Sequence, residues 1–152
     1  MTKDFFNYSG AETEPTETER PTLGNFTAED WDHFITFAAR RRYATGAVIA
    51  KAGDTDQAVF IIVAGSVSIE GPNADRVARR DLGAGDLFGI ETFLVAGERG
   101  ASAVATDAVE VLMLSEEGLE QLAAWRPRIA LRFVRFLAAD VAFRLRKFET
   151  PL

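Results

Sequence analysis

Cysteine is absent from the chain and histidine occurs once, at position 33. Without thiols there is no disulfide, no thiolate nucleophile, no thiolate zinc site and no cysteine-held iron–sulfur cluster. One imidazole cannot assemble a multi-histidine metal site within one chain either. An excess of cations is also missing: 17 Lys and Arg stand against 23 Asp and Glu, a net charge of −6. That balance argues against a main task of gripping nucleic acid or an anionic membrane, both of which reward basic surfaces. No apolar run approaches the roughly 20 residues of a membrane span. The start of the chain, MTKDFFNYSG, lacks the basic head and apolar middle of a signal peptide. These absences point to a cytoplasmic protein with no membrane partner. What is present, 152 residues with 47% hydrophobic content, suits one domain with a proper core.

Residues 1–25 read as a flexible acidic tail, with Glu12, Glu14, Glu17 and Glu19 among Thr, Pro and Ser. Phe5, Phe6 and Tyr8 are the exception: three aromatics in a polar leader either dock in a groove of this domain or a partner, or are simply carried along. The domain itself is expected over residues 26–149. Thr27 has the form of a helix N-cap with Asp30 three positions on, and Trp31, Phe34, Ile35 and Phe37 follow at helical spacing. The spacing places His33 off that stripe, as a rim residue. Arg40, Arg41 and Arg42 read as the helix's last turn, where cations complement the dipole.

From Tyr43 to Leu114 short β-rich segments alternate with glycine turns: 47–54, 59–69, 77–82, 101–105 and 109–114. Turns about every ten residues indicate an all-β sandwich or barrel with no long helix inside it. The continuous apolar run from Val59 to Val63 predicts a strand covered on both faces. Ser115 then caps a helix with Glu116 and Glu117 in its first turn, which Pro127 interrupts. A final helix carries Ile129, Phe133, Phe136, Leu137, Val141, Leu145 and Phe148 on one stripe. Basic residues lie beside it and read as a solvated face.

Ligand chemistry concentrates in GDLFGIETFLVAGERGASA, residues 85–103. Gly85, Gly89, Gly97 and Gly100 let main-chain N–H groups approach an anion closely. Arg99 supplies a planar fork matched to phosphate or carboxylate oxygens. The stretch reads either as a phosphate cradle or as a glycine-rich turn with a solvated surface arginine.

The order of these pieces, with AKAGD at 50–54, VFIIVAGSVSI at 59–69, GAGDLFG at 83–89 and VEVLMLSEEGLEQL at 109–122, resembles the cyclic-nucleotide-binding domain family. That family includes the sensor half of catabolite activators and the regulatory modules of kinases and ion channels. The resemblance covers residues 27–148. It implies a mainly β fold with flanking helices: a double-stranded β-helix, or jelly roll, with one N-terminal and two C-terminal helices. It implies a phosphate-binding cassette over Phe88, Gly89, Ile90, Glu91, Arg99, Gly100, Ala101 and Ser102, with cAMP or cGMP as ligand and no further cofactor. The family's arginine falls on Arg99 and its alanine on Ala101. Two positions depart from the pattern. The glutamate that holds the ribose hydroxyl falls on Ile90, with Glu91 one place later, and the hydroxyl after the arginine is replaced by Gly100, with Ser102 displaced by two. A hydroxyl set against isoleucine forgoes a hydrogen bond of about 1–3 kcal/mol. The departures leave open a weakened nucleotide site, a site for another anion, or a cavity without a ligand.

Three functions are weighed. The first is a regulatory sensor whose last helix, with Phe136, Phe143 and Phe148 as lid contacts, closes over the ligand and signals. The second is a ligand-independent module that forms a homodimer or binds a protein partner through that helix. The third, an enzyme on a cupin-like barrel, is set aside because His33 lies outside the barrel and Asp54, Asp86 and Glu91 do not cluster. The chain ends soon after the last helix, so DNA reading by this chain alone is not expected.

Overall fold

The computed structural model describes residues 21–24, 26–71 and 79–148. The acidic leader of residues 1–20 lies outside them, as do most of the corner after Gly71, Val77, and the side chain of Phe148. Helix α1 spans Ala28–Thr36 and starts at a complete capping box, in which Asp30 N–H donates to Thr27 Oγ1 and Thr27 N–H donates to Asp30 Oδ2 at 2.9 Å. Trp31 and Phe34 on its inner face are buried, together with Leu23 and Phe26 just before it. The packed chain thus begins by Leu23, within the range expected to be tail.

The three arginines after α1 correct the sequence reading. The helix stops at Thr36, and Arg40, Arg41 and Arg42 lie in strand β1, Ala39–Tyr43. Strand β1 pairs antiparallel with β8, Val109–Leu114, from Ala39 opposite Met113 to Tyr43 opposite Val109. Arg40 and Arg42 both reach Glu110 across that pair. Charges on an edge strand also discourage pairing with another chain.

The remaining strands are β2 Val48–Ala50, β3 Val59–Ala64, β4 Val67–Glu70, β5 Arg80–Leu82, β6 Leu87–Phe88 and β7 Ser102–Ala105. They form two four-stranded antiparallel sheets, β1-β8-β3-β6 and β2-β7-β4-β5. The chain changes sheet at nearly every corner, as a jelly roll does. Val59 and Ile61 face the helices, whereas Phe60 and Ile62 face the space between the sheets. The apolar run from Val59 to Ile62 is therefore covered on both faces, and two cores share one strand.

Helix α2, Ile90–Leu94, is a single turn or so inside the roll. Helix α3, Glu116–Trp125, starts at Ser115, whose Oγ accepts from Gly118 N–H at 3.0 Å. Helix α4, Pro127–Phe148, follows at once. Pro127 occupies a first-turn position that needs no N–H donor, so it divides two helices without disturbing either. Ile129, Phe133 and Leu137 of α4 are buried against α1 and the roll, while Val141 and Leu145 beyond them are exposed. Among the described residues no helix is long and apolar enough to cross a membrane.

The roll closes where the β3–β4 corner abuts the β7–β8 corner. Thr106 N–H donates to Ser66 O at 3.0 Å, and the Ser66 and Thr106 hydroxyls are 2.8 Å apart. Between them Gly65 sits at φ +92°, where a Cβ would lie 2.2 Å from the Ala108 carbonyl oxygen. Gly46 has a similar φ of +90° but open space around it. Gly46→Ala should therefore show only the left-handed backbone cost, about 1 kcal/mol. Gly65→Ala adds a clash with main chain and should lose roughly 3 kcal/mol or more, as measured by urea unfolding of the two variants side by side.

Candidate functional site

The AKAGD turn and the loop before β7 are tied together by main-chain bonds. Gly53 N–H donates to Arg99 O and Arg99 N–H donates to Asp54 O, each at 2.8 Å. Ala52 N–H donates to Ser102 Oγ at 2.9 Å. These bonds fix the backbone of Arg99, and a second set fixes its side chain. Arg99 Nε donates to Asp56 Oδ1 at 2.8 Å and Nη2 to Asp56 Oδ2 at 2.6 Å, a bidentate pair. Nη2 also donates to the Ala58 carbonyl oxygen at 2.8 Å. The guanidinium carbon lies 5.6 Å from the centre of the Phe60 ring, which stacks on Phe88 at 4.8 Å.

Arg99 is only 6% exposed. The reading as a solvated surface arginine is thus set aside, because a charge this deep requires the partners it has found. Nη1 takes no part in those bonds and lies against Gly89, where an added Cβ would stand 2.7 Å from it and 2.9 Å from Ala58 O. The glycine is needed there for space as well as for its φ of +83°.

A cleft with an inner volume of ≈ 70 Å³ opens beside the guanidinium. By the yardstick of roughly 10–15 Å³ for one water, that is room at the floor for a small anion and a few waters, with more space toward the mouth. Of the residues expected to bind a ligand, Phe88, Gly89, Glu91, Arg99, Gly100, Ala101 and Ser102 all line it. Ile90 does not. It opens α2 directly after the left-handed Gly89 and turns into the core beneath, fully buried with Phe93 and Leu112. Glu91, the next residue, is exposed and lines the cleft in its place. Ala50, Ile69, Arg80, Thr92 and Ala103 complete the wall.

The expected lid differs too. Phe136 packs against the main core, and Phe143 lies under Lys147 at 4.9 Å; neither lines the cleft. What reaches the site from α4 is Arg144, with Nη1 3.5 Å from Glu91 Oε1 and Nη2 2.9 Å from the buried Asp140. Glu91 also borders an apolar groove beside Val141 and Leu145. It thus stands between the cleft and the last helix.

Asp56, Arg80 and Arg144 were not legible as site residues from the amino-acid sequence, where Arg144 reads only as part of the solvated basic face of the last helix. Asp56 lies 43 positions from Arg99, in a turn-rich stretch where one more aspartate is unremarked. Its carboxyl is held below the ordinary carboxylate range, first by the hydrogen bonds from Arg99, against the opposing effect of burial.

Comparison with known proteins gives a consistent answer. The cyclic nucleotide-binding domain family profile matches residues 40–124. The cyclic AMP receptor protein of Thermus thermophilus is 34% identical over 134 residues, which are 87% of this chain and 60% of that protein. The crystal structure of the Thermus thermophilus catabolite activator protein superposes with a TM-score of 0.69 at 33% identity, covering 81% of this chain and 57% of that one. A cyclic nucleotide-binding domain from Methylobacillus flagellatus superposes with a TM-score of 0.72 at 19% identity, covering 96% and 77%, which supports the fold alone. The chain spans less than two thirds of the length of the Thermus proteins it matches.

The lowered carboxyl has a signed consequence. A depressed aspartate contributes stability above its unfolded value of 3.8, and loses it as pH falls through the lower folded value. The Asp56 side chain is 49% exposed, so Asp56→Asn should cost about 1–2 kcal/mol at pH 7, well short of a fully buried pair. The gap between wild type and variant in urea unfolding should hold from pH 7 to 5 and close below pH 3.8.

Proposed function

Because the chain belongs to the cyclic nucleotide-binding domain family, we propose that it is a cytoplasmic regulatory sensor that holds the phosphate of cAMP or cGMP against Arg99 and signals through α4. The observation that carries this reading is the buried guanidinium at the cleft floor, already oriented by Asp56 and Ala58 O, with Nη1 over Gly89. A ligand meeting a fixed fork loses less freedom in forming each bond than one that must order a mobile side chain. Phosphate oxygens take Nη1 and the backbone around Gly100 and Ala101, where no side chain exceeds a methyl group. Arg80 is a second cation on the wall. Glu91 accepts the ribose hydroxyl in place of Ile90. When it does so it exchanges Arg144 for the ligand, which is how occupancy biases α4. The role is binding, and we assign the cleft no catalytic chemistry.

A second reading, a ligand-independent homodimer or protein-docking module on the same fold, draws on the exposed Val141 and Leu145 of α4. An apolar strip on a terminal helix suits a two-fold seam.

Cyclic nucleotide at about 100 times its dissociation constant should stabilise the full chain by about 2.7 kcal/mol, read as a rise in thermal midpoint. Arg99→Ala should abolish the rise, and Glu91→Gln should shrink it for cAMP while leaving 2′-deoxy-cAMP unaffected. No rise with either nucleotide refutes the sensor. For the second reading, Leu145→Glu should convert a dimer to a monomer in sedimentation velocity with the far-ultraviolet circular dichroism of the folded domain unchanged; a wild-type monomer refutes it.

A further inference from the structure

On the side of the domain formed by α1 and the α3–α4 junction lies a second, larger hollow of ≈ 620 Å³ that the nucleotide reading does not use. Its floor is closed by the ion pair of Arg132 with Asp30 at 3.1 Å. Its rim carries Trp125, 71% exposed, together with the exposed Arg126 and Arg128. Among the described residues neither arginine is ion-paired with a carboxylate. Trp125 ends α3, and the stretch Ile129–Leu137 of α4 supplies the core packing that holds this helix junction in place. The junction therefore needs no exposed indole for its own stability. A large aromatic left in water on the same rim as two exposed arginines is the pattern of a surface that receives aromatic and anionic groups together.

We propose that this hollow receives the chain's own leader, with Phe5, Phe6 and Tyr8 against Trp125 and the acidic run of residues 12–19 beside Arg126 and Arg128. Two observations select that occupant. The first is charge: residues 4–19 hold five carboxylates and no cation, opposite to Arg126 and Arg128, while the one exposed carboxylate of the lining, Glu29, stands on the α1 side with its Oε1 3.7 Å from His33 Nε2. The second is reach. The packed chain begins at Leu23, four positions before Thr27, which itself lines the hollow, and the stretch from Tyr8 to Thr22 extends to about 45 Å. An intramolecular segment also gains from its high effective concentration, so weak individual contacts suffice. The other occupants, a second copy's leader or a separate acidic protein, are distinguished by the test.

The absence of cysteine makes that test direct. Ser9→Cys in the otherwise unchanged full chain takes one nitroxide label, and the indole N–H signals of Trp125 and Trp31 are followed by NMR. Trp125 should lose more than half its intensity relative to the reduced label. The loss should be reversed by Arg126→Glu with Arg128→Glu, and by salt near 1 M, where the screening length is about 3 Å. A mixture of nitroxide-labelled chain with isotope-labelled, cysteine-free chain should show no loss. Full Trp125 intensity in the labelled chain overturns the proposal, as does broadening in the mixture, which assigns the hollow to another copy. Broadening that survives both the charge reversal and the salt overturns the stated chemistry.

Discussion

The bidentate pair between Arg99 and Asp56 is the interaction on which the rest of the site depends. A guanidinium buried this far is expensive unless its donors are met, and meeting them requires three separate parts of the chain. The turn at Gly53 and Asp54 clamps the backbone, Asp56 and the Ala58 carbonyl hold the fork, and Gly89 leaves room for the remaining nitrogen. None of these parts would fall into place without the roll. The arginine is thus both a product of the fold and the reason several of its corners have the residues they do.

Those corners also explain how α4 is connected to the cleft. Gly89 turns the chain with a left-handed residue, Ile90 drops into the core, and Glu91 is carried to the lip. The departure from the family pattern at Ile90 is therefore compensated in position by its neighbour, and that neighbour is within ion-pair distance of Arg144. Arg144 is in turn anchored on the buried Asp140, one helical turn away. A carboxylate, a guanidinium and a second carboxylate thus connect the mouth of the cleft to the stretch of α4 where the exposed Val141 and Leu145 flank that same arginine.

What could be read from the sequence was mostly local. The Thr27 and Asp30 capping box, the Ser115 cap and the doubly covered β3 depend on residues within a few positions of one another, and all appear in the structure. The jelly roll was legible because its glycine corners and strand spacing match a known family. The three arginines of β1 were misread because a basic run after a helical stripe has the look of a helix end. What makes them a strand is Glu110 and the pairing with β8, about seventy positions away. Asp56 escaped notice for the same reason, since its partner is equally invisible from its own neighbourhood. Ile90 was assigned to the cassette by counting, whereas the side to which a residue turns at the start of a short helix is decided by the left-handed residue before it.

The half-exposed Asp56 gives the cleft its own resident counterion. Because Asp56 takes Nε and Nη2 and leaves Nη1 over Gly89, the buried charge is met from within the chain while one nitrogen stays outside the pair. A substitution at this one half-exposed aspartate would therefore reach the aim of a buried guanidinium while leaving the glycine corners around it untouched.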